Sequence, residues 1–205
     1  MERNINPWDD RYSANEYVYG TEPNDFLREN AHLLRPRSRI LCLADGEGRN
    51  GVFLAGLGHT VTSVDASSIG LEKARQLATQ KGVVLTTICQ DLATFELGNQ
   101  RWDAIVSIFC HLPPELRRKV HGAIPQALIH GGVFLLEAYT PDQLGNKTGG
   151  PPVAEMMMTC DLLYRELESL SIESCEERMR TIHEGLLHNG PSSVVQCIGR
   201  RHVHT

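Results

Sequence analysis

At 205 residues, 41% of them apolar, with a formal charge of -5, the chain has the length for one domain with a sizeable core and carries no broad cationic field. The basic runs Arg35/Arg37/Arg39, Arg117/Arg118/Lys119 and Arg200/Arg201 are too short to neutralise a phosphate backbone, which argues against a nucleic-acid partner. No apolar run approaches the roughly 20 residues that span a bilayer, and the opening MERNINPWDD lacks the apolar centre of a signal peptide, so a cytoplasmic protein with no membrane partner is expected.

The first thirty residues place Trp8, Tyr12, Tyr17 and Tyr19 among turn signals, an aromatic arm that serves either as packing over the sheet or as a lid. The stretch LCLADGEGRNG (41–51) follows: an apolar run broken by Gly46, Gly48 and Gly51, then a second apolar run, which reads as strand, tight turn and helix. TVTSVD (60–65) is a short strand ending on an acid. Leu71, Ala74, Leu77 and Ala78 mark one face of a helix closed by Gly82. Strands are expected at 83–89, 102–109 and 131–139, with a helix led by Pro113-Pro114 between the last two. Such alternation predicts parallel βαβ units in a doubly wound α/β fold. The Gly- and Pro-rich stretch 140–155 is irregular, and 161–170 is an amphipathic helix. Residues 171–184 and 192–201 read as two final antiparallel strands joined by a turn containing Asn189-Gly190. Six cysteines, Cys42, Cys89, Cys110, Cys160, Cys175 and Cys197, form no CxxC pair, so neither a zinc ribbon nor a disulfide framework is expected.

In an open parallel sheet a ligand sits beyond the carboxyl ends of the strands. Those ends carry Asp45 to Arg49, Asp65, Gln90-Asp91, Cys110-His111 and Glu137 to Tyr139. Gly46-x-Gly48-x-x-Gly51 with Asp65 about 20 residues on is also the dinucleotide fingerprint. Asp45 and Glu47 in the turn would repel a pyrophosphate, however, and would suit a ligand with an adenosine at one end and a cationic sulfur and ammonium at the other.

The residues ILCLADGEGRNGVFLAGLGHTVTSVD, QDL, WDAIVSIFCHL and GGVFLLEAYTP resemble class I S-adenosylmethionine-dependent methyltransferases. The GRN, EAYTPDQ and GGP stretches are most similar to the tellurite-resistance type within them. The resemblance covers nearly the whole chain. It implies a Rossmann-like seven-stranded sheet, mostly parallel with an antiparallel last strand and helices on both faces. It further implies one domain, divided into an amino-terminal arm or lid (1–35), a cofactor-binding core (36–140) and a substrate-side ending (141–205), working as a monomer or weak homodimer on a small-molecule acceptor. In its terms Gly46 and Gly48 let S-adenosylmethionine approach the backbone, and Asp65, with Ala66 beside it, binds the ribose hydroxyls. Asp91 and Leu92 frame the adenine, Cys110 lines the crevice, and Arg49 and Asn50 hold the methionine end. Cys42 stands where such enzymes carry a first-strand acid and Ala44 where they carry the first glycine, so the ammonium contact is expected to move to Asp45.

Methyl transfer from a cationic sulfur needs a nucleophile in line and exclusion of water more than it needs a base. If a base is used, His111 is the candidate, its other role being a pocket wall; Glu137 and Tyr139 end the fifth strand in the same crevice. His183, Glu184 and His188 form HExxxH, which on a helix places the histidines on different faces and argues against zinc. Three readings stay open: a methyltransferase acting on a thiol, an amine or a tellurium or selenium oxyanion; an NAD(P)- or FAD-dependent oxidoreductase; and a non-catalytic S-adenosylmethionine binder. The acceptor pocket would be shaped by residues 5–30 and 140–160.

Overall fold

The computed structural model describes residues 6–202, so residues 1–5 of the expected arm and 203–205 of the ending lie outside the described residues. The chain opens with two short helices, α1 (Pro7–Tyr12) and α2 (Asp25–Asn30), capped by the Asn6 and Asn24 side chains on Trp8 N–H and Leu27 N–H. The alternating body follows as β1 (Arg39–Leu43), α3 (Arg49–Gly56), β2 (Thr60–Asp65), α4 (Ser68–Gln80), β3 (Thr86–Cys89), β4 (Trp102–Ile108), α5 (Pro114–Ala127) and β5 (Leu128–Tyr139). Helix α6 (Cys160–Glu166) and the long hairpin β6 (Leu170–Glu184) and β7 (His188–Arg201) end it.

All seven strands form one sheet of order β3-β2-β1-β4-β5-β7-β6, parallel throughout except at β7, which runs antiparallel to both neighbours. Side chains alternate across the strands and build a layer on each face. Leu41, Leu43, Ile105, Phe134 and Leu136 pack toward Val120 and Ile124 of α5 and Leu163 of α6. Ile40, Cys42, Ala104, Val106 and Leu135 pack toward Phe26 and Leu27 of α2 and Leu54 of α3. The doubly wound class is therefore as expected.

Several boundaries differ from the sequence reading, two of them for a visible reason. The third strand starts at Thr86 rather than Val83, because Gly82 ends α4 with a left-handed φ of 68° and Val83 N–H turns back to the Ala78 carbonyl. The final hairpin turns at 185–187, and Asn189-Gly190 lies inside β7. Gly185 takes φ 77° there against the arm; a β-carbon on it would stand 2.4 Å from the Val18 carbonyl oxygen.

Candidate active site

The parallel strands β1 to β5 all end on one side of the sheet, and the antiparallel β7 begins there. The turn after β1 is built by a left-handed backbone: Ala44 at φ 48°, Gly46 at 55° and Gly48 at 84°. Ala44 thus adopts the strained conformation that a glycine would take without cost. Gly46 N–H donates to Asp65 Oδ2 at 2.8 Å and Ser67 N–H to Asp65 Oδ1 at 2.8 Å. Each carboxylate oxygen keeps a further lone pair for a ligand hydroxyl. Burial raises the Asp65 carboxyl above its ordinary pKa, with Asp9 adding to the effect, while these N–H groups oppose it. The thiol of Cys110, buried at the end of β4, is pushed up to about 12 by desolvation and then by the Asp65 charge. Ala66 is half-buried next to Asp65; Leu92 is in the core, and Asp91 caps its own turn through Ala93 N–H from an exposed position.

The two acids of the glycine turn are engaged by protein groups. Asp45 Oδ2 accepts from Ser63 Oγ at 2.5 Å and Gly51 N–H at 3.2 Å beneath the turn, and burial pushes its carboxyl up to about 7. That oxygen serves the turn. Glu47 is paired with Lys73 Nζ at 2.5 Å and accepts from Tyr19 N–H at 3.2 Å. Lys73 also donates to the carbonyls of Tyr12, Ala14 and Glu16, so one buried ammonium ties the arm to the turn.

Arg49 and Asn50 are likewise engaged by protein. Arg49 Nη2 lies 2.5 Å from Glu184 Oε2, and Asn50 Oδ1 accepts from Asn24 N–H at 3.0 Å. Glu137, with no exposed surface, accepts from Arg180 Nη2 at 2.6 Å, from Gln196 Nε2 at 2.5 Å and from Asn24 Nδ2 at 3.2 Å. Arg180 continues to Glu184 and Asp25. Two arginines and two buried carboxylates close on one another, so Glu137 serves this network, its Oε1 accepting from Asn24 and Arg180 and its Oε2 from Gln196.

His111 is likewise held by protein groups. Its Nδ1 is 3.0 Å from the Met156 carbonyl oxygen, which requires Nδ1–H, and its Nε2 accepts from Tyr139 N–H at 3.3 Å. Both nitrogens are occupied by main chain, and burial pushes the ring pKa down to about 4. His111 is a neutral wall of the crevice with no lone pair for an acceptor's proton.

Beyond these residues lies a run of rings that the sequence reading did not assemble. Tyr12 and Tyr19 of the arm meet edge to face at 6.2 Å, Tyr19 lies 4.5 Å from His188 at the start of β7, and His188 lies 4.6 Å from Phe109 and 5.4 Å from Tyr139. Phe109 stacks on Tyr139 at 4.6 Å, and Tyr139 on His111 at 5.6 Å. Phe109 holds a left-handed φ of 52° to reach this position. Tyr139 is fully buried, its hydroxyl pushed well up by desolvation. The alternation Arg180, Ile182, Glu184 on the expected strand is the signal that shows which face of β6 turns inward.

Residues 40–132 match the family model of a methyltransferase domain. Glycine/sarcosine N-methyltransferase from Aphanothece halophytica is 35% identical over 104 residues, which span 48% of this chain and 39% of that protein; the chain therefore matches well under half of that relative's length. Among solved structures, one reported for the conversion of a disulfide bond into a thioacetal group during echinomycin biosynthesis superposes with a TM-score of 0.77 at 19% identity, covering 97% of this chain and 91% of that one. TehB from Haemophilus influenzae gives 0.70 at 18% identity, covering 95% and 65%.

Residues 40–132 are thus similar to a methyltransferase domain, and the sheet order and the glycine turn agree with that similarity. The protein's cofactor is S-adenosylmethionine, which supplies an electrophilic methyl group on a cationic sulfur. The chain's residues fit that group: Gly46 presents bare backbone beneath the Tyr12 ring of the arm, and Asp65 stands beside it with lone pairs to spare.

Proposed function

We propose that the protein transfers a methyl group to a small neutral nucleophile held in the ring-lined crevice between the arm, β5 and the β6–β7 hairpin. The observation that carries this reading is the composition of that crevice: five aromatic or imidazole rings, with Arg49, Arg180, Glu137 and Glu184 already paired with one another. A site whose buried charges are paired with one another suits a neutral, polarisable acceptor such as a thiol. The cofactor end is assigned to Gly46, Gly48 and Asp65, with Ala66, Asp91, Leu92 and Cys110 around the adenosine. A second reading, an amine acceptor, is favoured by the similarity to the glycine/sarcosine N-methyltransferase, and a neutral amine would enter the same rings.

The test has two stages. S-adenosylhomocysteine should raise the melting temperature while NAD, NADP and FAD leave it unchanged; a rise with a dinucleotide alone would overturn the reading. Label from methyl-labelled S-adenosylmethionine should then reach members of a panel of thiols, amines, tellurite and selenite. Transfer to none of them, with the cofactor bound, would point to a non-catalytic binder.

A further inference from the structure

We infer that Nδ1 of His188 takes the proton of the methyl acceptor, and that the acceptor is a small neutral thiol. This rests on the proposed methyl transfer and assigns its substrate class and a catalytic residue. Among the described residues, three buried side-chain polar atoms lack a hydrogen-bond partner: Glu47 Oε1, the Tyr139 hydroxyl and His188 Nδ1. The first has an ionic partner in Lys73 Nζ at 2.5 Å, and the second has the Ser192 side chain beside it. His188 Nδ1 is the one that the fold leaves unserved.

That nitrogen belongs to a ring packed inside the aromatic cluster. His188 is 8% exposed, and its ring is enclosed by Tyr19, Phe109 and Tyr139. The GGP loop closes the remaining side: a β-carbon at Gly149 would stand 2.9 Å from His188 Cδ2 and 2.5 Å from the Tyr139 hydroxyl. A buried nitrogen without a partner is costly to fold, and it is retained where a ligand supplies the missing group. Burial, together with Arg49, His111, Arg11 and Arg180 around it, keeps the imidazole neutral and a weak base.

The weakness of the base selects the acceptor. The lone pair of the acceptor sulfur forms the new sulfur–methyl bond, and the cofactor's carbon–sulfur bond breaks with its electron pair staying on the cofactor sulfur, which leaves S-adenosylhomocysteine. The acceptor sulfur then carries both a methyl group and its original proton and is a very strong acid, so even a weakly basic imidazole takes that proton and passes it to water. A methylated amine is a far weaker acid and would keep its proton against such a base.

The experiment compares the parent protein with His188→Asn, whose carboxamide places a hydrogen-bonding atom near the Nδ1 position but takes no proton. At about pH 8 a thiol series is used from thiophenol, already thiolate, to alkanethiols, still largely protonated. Turnover of the alkanethiols should fall by about a hundredfold and that of thiophenol should change little. Affinity for S-adenosylhomocysteine, measured by calorimetry, should stay within about threefold of the parent, since the cofactor's contacts lie elsewhere. Nitrogen-15 spectra of the histidine rings should show His188 neutral with a bare Nδ1. Equal losses across the thiol series, or a protonated Nδ1 in the resting protein, would reduce His188 to packing. Methylation of amines but of no thiol would overturn the substrate class, and failure of the parent to bind S-adenosylhomocysteine would remove the methyltransferase reading beneath it.

Discussion

The Tyr12 hydroxyl lies so close over Gly46 that a β-carbon on that glycine would stand 2.5 Å from it. The arm therefore rests directly on the turn that the cofactor must reach, held there by Lys73 through three of its carbonyls. Gly46→Ala meets both the contact and a φ of 55°, which costs at least about 1 kcal/mol in stability. Amide exchange across residues 8–26 should be faster in this variant than in the parent. In the parent, the same amides should slow on addition of S-adenosylhomocysteine as the arm closes on the ligand; unchanged rates would leave the arm as packing.

Asp65 holds the turn through Gly46 N–H and is placed to accept the ribose hydroxyls. Hydrogen bonds to a charged group contribute roughly 1.5 to 3 kcal/mol, so Asp65→Ala should weaken S-adenosylhomocysteine binding by at least about tenfold in calorimetry. The ribose is the same before and after methyl transfer. The rate at saturating cofactor should accordingly change little, and a large fall in that rate would show that Asp65 acts on the transition state instead.

Arg180 neutralises Glu137 and Glu184 in a region with almost no solvent. Arg180→Met keeps the aliphatic stem and removes the charge, leaving Glu137 buried with only its amide donors. Chemical denaturation should show a loss of about 3 to 5 kcal/mol, the range for a broken buried ion pair. A double variant, Arg180→Met with Glu137→Gln, should recover much of that loss. No recovery would mean that the arginine contributes through packing rather than charge.

The Asp45 carboxyl is raised from its model-peptide value of 3.8 to about 7, so the folded protein holds this proton where the unfolded chain has released it. Stability from this group is then full below pH about 4 and falls as the pH rises toward about 7. Asp45→Asn mimics the protonated form and can still accept from Ser63 and Gly51. Its melting temperature should match the parent's near pH 4 and exceed it near pH 8; a variant less stable than the parent at pH 8 would show that the charged carboxylate is what the turn requires.

The strand ends were legible in the sequence because local rules determine them: period-two apolar runs, a glycine turn whose positive φ angles few other residues tolerate, and an acid closing the second strand. The mostly parallel sheet, its antiparallel last strand and the place of Asp65 followed from that pattern and from the family resemblance, whereas the order of the strands came from the structure. What each polar group does was decided only by the tertiary structure, because a partner's identity depends on residues far away in the chain. Arg49 meets Glu184 across 135 positions, Asn24 meets Glu137 across 113, and the Met156 carbonyl silences His111 from 45 positions on. His183 and His188 look equivalent in the sequence, yet the hairpin turn at 185–187 sends His183 outward and buries His188 among rings from the arm, β5 and the segment after β4. Pattern reasoning carries the period of an element, whereas the pairing of charges and the shelter of a nitrogen are set by which surfaces the packed chain brings together.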